Sequence, residues 1–286
     1  MGKIYFLGAG TPTPTKHRFG TSYVLQLGND FLMFDCGPAA THKLVKLGLF
    51  PTQIDYLFFT HHHFDHNVDY PCFLLCRWDQ SIGRENILQI WGPPPTKWIT
   101  ERLIGPDGAF NHDWKSRVEH PSSQNVFVNR GGSLPRQKPA YNAIDIEPGE
   151  VIKKDHWTVT AAEAKHVEPY LRTLAYRVDS DEGSIVFSSD TGPCETIKRL
   201  AEGADTLLVH CWDHQEKMAI DVAKVIAGTL ESAKIAQQST VKRLILSHQG
   251  SNLARPGSRE KGIADISKIF DGEIIFADEL MTLELR

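Results

Sequence analysis

Six consecutive residues constrain this chain more than any other feature. His61-His62-His63-Phe64-Asp65-His66 places four imidazoles and one carboxylate side by side. Imidazole nitrogen and carboxylate oxygen are the donors that zinc and similar divalent transition metals accept. The run follows Ile54-Asp55-Tyr56-Leu57-Phe58-Phe59-Thr60, an apolar, β-branched and aromatic stretch with the character of a buried strand. The donors therefore sit on a loop at a strand's carboxyl end, where open α/β folds place their ligands. On extended backbone His61 and His63, two apart, point the same way. Asp65 and His66 are adjacent where the chain turns into a helix, so they diverge and suit a second ion.

Three more donors follow strand-like stretches. His166 comes after the alternating Trp157-Thr158-Val159-Thr160-Ala161-Ala162, and Asp190 after Ser184-Ile185-Val186-Phe187-Ser188-Ser189. His248 comes after Val241-Lys242-Arg243-Leu244-Ile245-Leu246-Ser247. The order H-x-H-x-D-H after a strand, then His, Asp and His in turn, resembles the metal-binding pattern of the metallo-β-lactamase superfamily. That resemblance implies His61, His63 and His166 on one ion, Asp65, His66 and His248 on the other, and Asp190 bridging. It implies two divalent cations, zinc first, with manganese and iron also suited to a nitrogen and oxygen set without thiolate. It further implies hydrolysis by a metal-bridging hydroxide, with Asp65 orienting or deprotonating the nucleophile as well as binding metal.

The rest of the pattern fits an α+β chain. Strands are expected at Lys3 to Leu7, Ser22 to Leu27, Phe31 to Phe34 and Ile87 to Trp91. Helices are expected from Pro38 to Leu47, over 69–80 and from Thr96 to about Leu103. The second half adds strands at 206–210, 273–276 and 281–285, with helical segments within 216–237 and 257–270. Two such blocks predict two sheets with helices outside, and the resemblance implies an αββα sandwich of two mixed β-sheets flanked by helices. The candidate donors span 61 to 248, so one hydrolase domain over 1–286 is expected. Residues 105–142 are rich in Gly, Pro, Ser and aromatics and show little periodicity. They are expected to form an insert over the pocket mouth, with Phe110, Trp114 and His112 or His120 beside the substrate.

A net charge of −4 and a pI near 6.3 argue against a large nucleic-acid-binding face. The five cysteines show no C-x-x-C spacing, and Cys72 and Cys76 are expected as a buried, unoxidised pair. No secretory signal or membrane-length apolar run stands out, so a cytoplasmic home is expected.

Gly8-Ala9-Gly10-Thr11-Pro12-Thr13-Pro14 and Asp35-Cys36-Gly37 narrow the resemblance to the ribonuclease Z, arylsulfatase and cyclic-nucleotide phosphodiesterase branch. There Asp35 looks like a partner that holds the imidazoles in the right tautomer. Dimers are common in this branch, so a homodimer is compatible with it. Ribonuclease Z usually carries a His-Glu pair where this chain has His210-Cys211, and a histidine near Ala227, where none stands here. That Glu–His couple is thought to protonate the leaving oxygen. His210 and His214 are candidate substitutes, as acid or substrate contact, with His210 equally a strand-end residue hydrogen-bonded near the metals. A small-molecule ester substrate is expected, phosphodiester or aryl sulfate first. The alternatives are ribonuclease Z-like cleavage of RNA, a lactone or amide substrate, and last a non-enzymatic metal-binding scaffold.

Overall fold

The computed structural model describes residues 2–84 and 86–285. Fourteen strands are assigned among them, in two sheets of seven. The first sheet is built from β1 (Lys3–Ala9), β2 (Thr21–Leu27), β3 (Asp30–Phe34), β4 (Tyr56–Phe58), β5 (Leu88–Gly92) and β6 (Tyr141–Asp145). The last strand of the chain, β14 (Thr282–Glu284), returns to pair with β1. The second sheet comprises β7 (Val151–Lys153), β8 (Trp157–Glu163), β9 (Leu174–Ser180), β10 (Gly183–Phe187), β11 (Thr206–His210), β12 (Arg243–Ser247) and β13 (Glu273–Phe276).

Both sheets are mixed in the same way. The run β14-β1-β2-β3 is antiparallel and β3-β4-β5-β6 parallel. In the second sheet β7-β8-β9-β10 is antiparallel and β10-β11-β12-β13 parallel. Their inner faces meet in an apolar layer with an aromatic centre. Phe34 stacks on Phe187 at 4.1 Å and on Phe58 at 5.2 Å, and Phe58 stacks on Trp91 at 5.0 Å. Offset ring pairs of this kind add about 0.5–1.5 kcal/mol each beyond the area they bury.

Helices cover the outer faces, completing the αββα sandwich that the resemblance implies. The helices α1 (Ala40–Lys46), α2 (Phe64–Asn67), α3 (Tyr70–Gln80) and α4 (Thr96–Ile104) belong to the first half. Leu44, Phe73, Leu74 and Ile104 of α1, α3 and α4 join one outer core with Leu57 and Ile90 of the first sheet. The 105–142 stretch is not wholly irregular: α5 (Asn111–Glu119) and α6 (Pro121–Asn129) occupy about half of it. Ion pairs tie it to α3, where Asp79 meets Arg117, Arg130 and Arg136, and Arg117 also pairs with Asp113 within α5. The second half adds α7 (Glu195–Ala201), α8 (Ile220–Ala223), α9 (Thr229–Gln238) and α10 (Ser258–Ile266). Ile197, Ala233, Ile235 and Ile266 seal the outer face of the second sheet.

Cys72 is exposed, which corrects the expected burial of that pair, and its sulfur lies 4.0 Å from that of Cys76. Both are free thiols. Among the described residues no helix is long and apolar enough to cross a membrane.

Candidate metal centre

Strand direction gathers the donors at one end of the sandwich. β10, β11 and β12 run parallel in register, with His210 opposite Ser247, so Asp190, His210 and His248 leave the sheet side by side. β8 shares their direction because two antiparallel pairings separate it from β10, which delivers His166 to the same end. The β4 exit is pinned against them: Tyr176 donates to the Phe59 carbonyl at 2.7 Å, and Leu174 N–H to that of Thr60 at 2.9 Å.

The turns carrying these residues are conformationally unusual. Asp35, Ser189 and His248 have φ values of 59°, 61° and 54°, left-handed backbone that non-glycine residues seldom adopt. Such strain persists where the surroundings over-determine it, commonly at functional sites. Two glycines permit the close approaches. A Cβ on Gly37 would lie 2.3 Å from the Asp65 carbonyl oxygen, and one on Gly192 would lie 1.9 Å from that of Lys224.

Two groups of donor atoms result, each within 4.8 Å of one another: His61, His63, His166 and Asp190, then His66, Asp190, His210 and His248. Asp190 belongs to both. Its Oδ2 faces His166 Nε2 at 3.7 Å, His66 Nε2 at 3.8 Å and His61 Nε2 at 3.9 Å. Asp65 stands beside the second group, with Oδ2 3.2 Å from His248 Nε2 and 3.6 Å from His66 Nε2. All seven expected donors are thus brought together, and His210 is added to them.

Outer contacts turn the imidazoles inward. His66 Nδ1 lies 2.8 Å from Asp35 Oδ2, and His166 Nδ1 lies 2.8 Å from the Val225 carbonyl. A proton on each Nδ1 leaves each Nε2 lone pair facing Asp190. Asp35 also accepts from Thr60 N–H at 2.7 Å and from Thr60 Oγ1 at 2.8 Å, as expected of a tautomer-holding partner. Asp65 Oδ1 and His66 Nε2 are buried without a hydrogen-bond partner, which a folded protein seldom tolerates. His61 Nε2 and His63 Nδ1 stand 3.1 Å apart. Buried, unpaired donors converging on a shared carboxylate fit divalent cations.

Electrostatics divide the histidines: a cation must displace a proton from His66 but not from His61 or His63. Burial holds the His61 and His63 imidazoles below their ordinary pKa, so they favour the neutral, coordinating form. Burial works against protonation of His66 too, but the Asp35 carboxylate prevails, helped by Asp65 and Asp190, and raises it to about 9. Asp190 stays ionised well below the usual carboxylate range, because His248, His210 and His66 outweigh the effect of its burial.

The remaining candidates separate. His210 sits at the end of β11 with Nδ1 2.7 Å from Asp190 Oδ1 and Nε2 3.0 Å from the Tyr23 hydroxyl. Burial lowers its pKa to about 4. His214 is fully buried but joins neither group; its Nε2 lies 2.9 Å from Ser258 Oγ. His62 turns outward to Thr96 Oγ1 at 2.8 Å, at the start of α4. Among the described residues, the 105–142 insert makes no hydrogen bond or ion pair to these donors. Reasoning from sequence missed Tyr23 and Thr60, since a hydroxyl inside a strand or at its end carries no local signal of its partner.

Comparison with known proteins agrees with this geometry. A profile of the beta-lactamase superfamily domain matches residues 31–249. The chain is 27% identical to a ribonuclease Z of Mycobacterium sp. (strain KMS), an alignment covering 100% of this chain and 97% of that protein. A ribonuclease Z of Methanothermobacter thermautotrophicus is likewise 27% identical, with the same coverage. Among solved structures, the metallo-beta-lactamase fold protein YhfI from Bacillus subtilis superposes with a TM-score of 0.76 at 19% identity, covering 99% of this chain and 98% of that one. Human tRNase Z, short form, gives 0.67 at 18% identity, covering 99% of each chain. The chain therefore belongs to the metallo-β-lactamase superfamily and is a metal-dependent hydrolase of ester bonds.

Proposed function

We propose that this protein is a two-metal hydrolase whose substrate is a small-molecule phosphodiester or aryl sulfate, with residues 1–286 acting as one catalytic unit. The observation that carries the reading is the convergence of three other loops on Asp190, which faces histidine nitrogens with both oxygens. His61, His63 and His166 would hold one cation, and Asp65, His66 and His248 the other, with Asp190 between them. When bound, two such ions activate the attacking water and neutralise charge on the entering and departing oxygens. Zinc is the first choice, and manganese and iron also suit this donor set. Asp65 engages His248 through Oδ2, which leaves the buried Oδ1 free to orient the attacking water or accept its proton. Asp35 and Val225 fix the imidazoles that face the reaction.

Proton donation to the leaving group separates the substrate readings. Cys211 and Ala227, where the ribonuclease Z pattern places its Glu–His couple, are bridged neighbours in the fold, and both are fully buried. Burial pushes the Cys211 thiol up to about 12, so it is a poor acid at neutral pH. His210 has both ring nitrogens engaged, and His214 bonds Ser258. These contacts favour esters whose leaving oxygen departs without a proton, such as aryl oxides. The full-length similarity to ribonucleases Z favours a second reading, phosphodiester cleavage in RNA, despite the acidic net charge.

A substrate panel separates them. Purified protein with added zinc or manganese is offered aryl phosphodiesters, aryl sulfates, lactones and a labelled tRNA precursor. Turnover of aryl esters without tRNA processing supports the first reading, and cleavage of the tRNA precursor at one site supports the second. Lactone turnover alone contradicts both.

A further inference from the structure

Away from the donors, the insert at 105–142 helps to wall a cavity of about 370 Å³. Trp78 of α3, Ile104 of α4, Phe127 of α6 and residues of the loop between α6 and β6 line it. Leu88 and Tyr141, also in its wall, pair with each other as the first residues of β5 and β6. Those strands run parallel to β4, whose carboxyl end carries the His61 to His66 loop. The cavity therefore opens at the opposite edge of the first sheet, with the five-residue β5, about 16 Å long, between it and the donor end.

The wall is closely built. A Cβ on Gly132 would lie 2.5 Å from the Phe127 ring, so only glycine lets the loop close this tightly on α6. Arg136, from the same loop, is buried, with its guanidinium carbon 4.2 Å from the Trp78 ring centre and 4.6 Å from that of Phe127. Contact with two rings fixes the orientation of the planar group. A guanidinium carries five N–H donors. Among the described residues only Nη2 of Arg136 finds an acceptor, Asp79 Oδ1 at 2.8 Å. Nε and Nη1 are left unmatched on a side chain that lines the cavity, and buried polar groups seldom stay so.

Charge points the same way. Arg77, Arg136 and Lys138 line the cavity, and among the described residues no carboxylate does. Arg77 is engaged by Ile54, Asp55 and Asn86, which leaves Arg136 as the cation with donors to spare. Two carboxylates, Asp79 and Asp113, answer three guanidiniums around Arg136, so positive charge is in excess there. Leu74, Leu88, Ile104 and Phe127 supply apolar wall. An apolar chamber of this size with one fixed cationic fork suits a small ligand with an apolar body and an anionic head.

We propose that this cavity is a second binding site, for a small apolar molecule bearing one carboxylate, sulfonate or phosphate group, with Arg136 receiving the anion. Trp78 and Phe127 hold Arg136 in place, and Lys138 adds attraction from the rim. The site does not depend on what the metal centre cleaves.

The test uses anilinonaphthalene sulfonate, an apolar aromatic anion that fluoresces when shielded from water, titrated into the full chain with and without zinc. One saturable site per chain is expected without zinc, and zinc should leave its affinity unchanged. Octanoate should displace the dye at least about tenfold more effectively than octanol, which has the same chain without the charge. Arg136→Gln should weaken dye binding about tenfold or more. Lys138→Glu, at an exposed position of the wall, should weaken it about fivefold. Absence of a saturable site overturns the proposal, and so does octanol displacing the dye as well as octanoate. Unchanged affinity in a folded Arg136→Gln also overturns it. If that variant does not fold, unchanged affinity in Lys138→Glu does so instead. Binding that appears only with zinc puts the anion at the metal centre, which overturns the second site and leaves the hydrolytic reading intact.

Discussion

Asp35 concentrates the most structure into one side chain. It is fully buried, accepts two hydrogen bonds from Thr60 and meets His66 Nδ1. Asp35→Ala should weaken metal binding about 10–100-fold, the usual effect of losing a partner behind a ligand. It should also destabilise the fold by about 1–3 kcal/mol for the buried donors left unpaired. Zinc competition with a chromophoric chelator and denaturant unfolding measure the two effects; unchanged zinc affinity would contradict the role given to Asp35. His63→Ala should abolish hydrolysis and lower metal content, and full activity in that variant would sink the two-ion reading. At this scale the sequence was informative wherever a donor follows a strand, because chain direction alone places strand-end residues at a sheet edge. That is why His61 to His66, His166, Asp190 and His248 were legible. His210 was ambiguous because its partner Tyr23 lies 187 positions away and only sheet packing brings it near.

At the scale of elements, α1, α3, α4 and the strands flanking the donors were readable because each has an apolar face and a clear stop signal. α5 was not readable, since it has no buried residue and so no apolar stripe in its sequence. Charge holds that region instead. Burial would raise the pKa of Asp79, but the guanidiniums of Arg136 and Arg130 outweigh it and depress the value. A depressed folded value stabilises above the unfolded pKa of about 3.9 and is lost as pH falls through the folded value. Asp79→Asn should therefore lower Tm near neutral pH, with the gap to the native protein closing below about pH 4. A gap that persists undiminished at pH 3 would mean that packing, not charge, anchors the insert. Gly37 fixes a second joint, between the β3 exit and α2. Gly37→Ala forces a Cβ to 2.3 Å from the Asp65 backbone, so it should lower both Tm and metal content. An equally stable, fully loaded variant would show that this approach can relax.

Across the whole molecule, two sheets of matching plan lay parallel strands of both halves over one aromatic core, and the β14–β1 pairing closes the first sheet with the end of the chain. That plan places a loop from the first sheet against three strand ends of the second, so the metal centre forms only once the halves have packed. The sandwich was legible from alternation and motif order. The pairing of β9 between β8 and β10 was not, because nothing local in 174–180 names its neighbours. The central claim is that this packing builds two cation sites sharing Asp190. Elemental analysis of protein purified without added metal tests it most directly, with hydrolysis of a chromogenic aryl phosphodiester followed before and after chelation. The account predicts close to two divalent ions per chain, activity lost to the chelator and restored by metal, and loss of bound metal and activity in Asp190→Ala. Native protein with one ion or none, or hydrolysis that survives complete chelation, would contradict it.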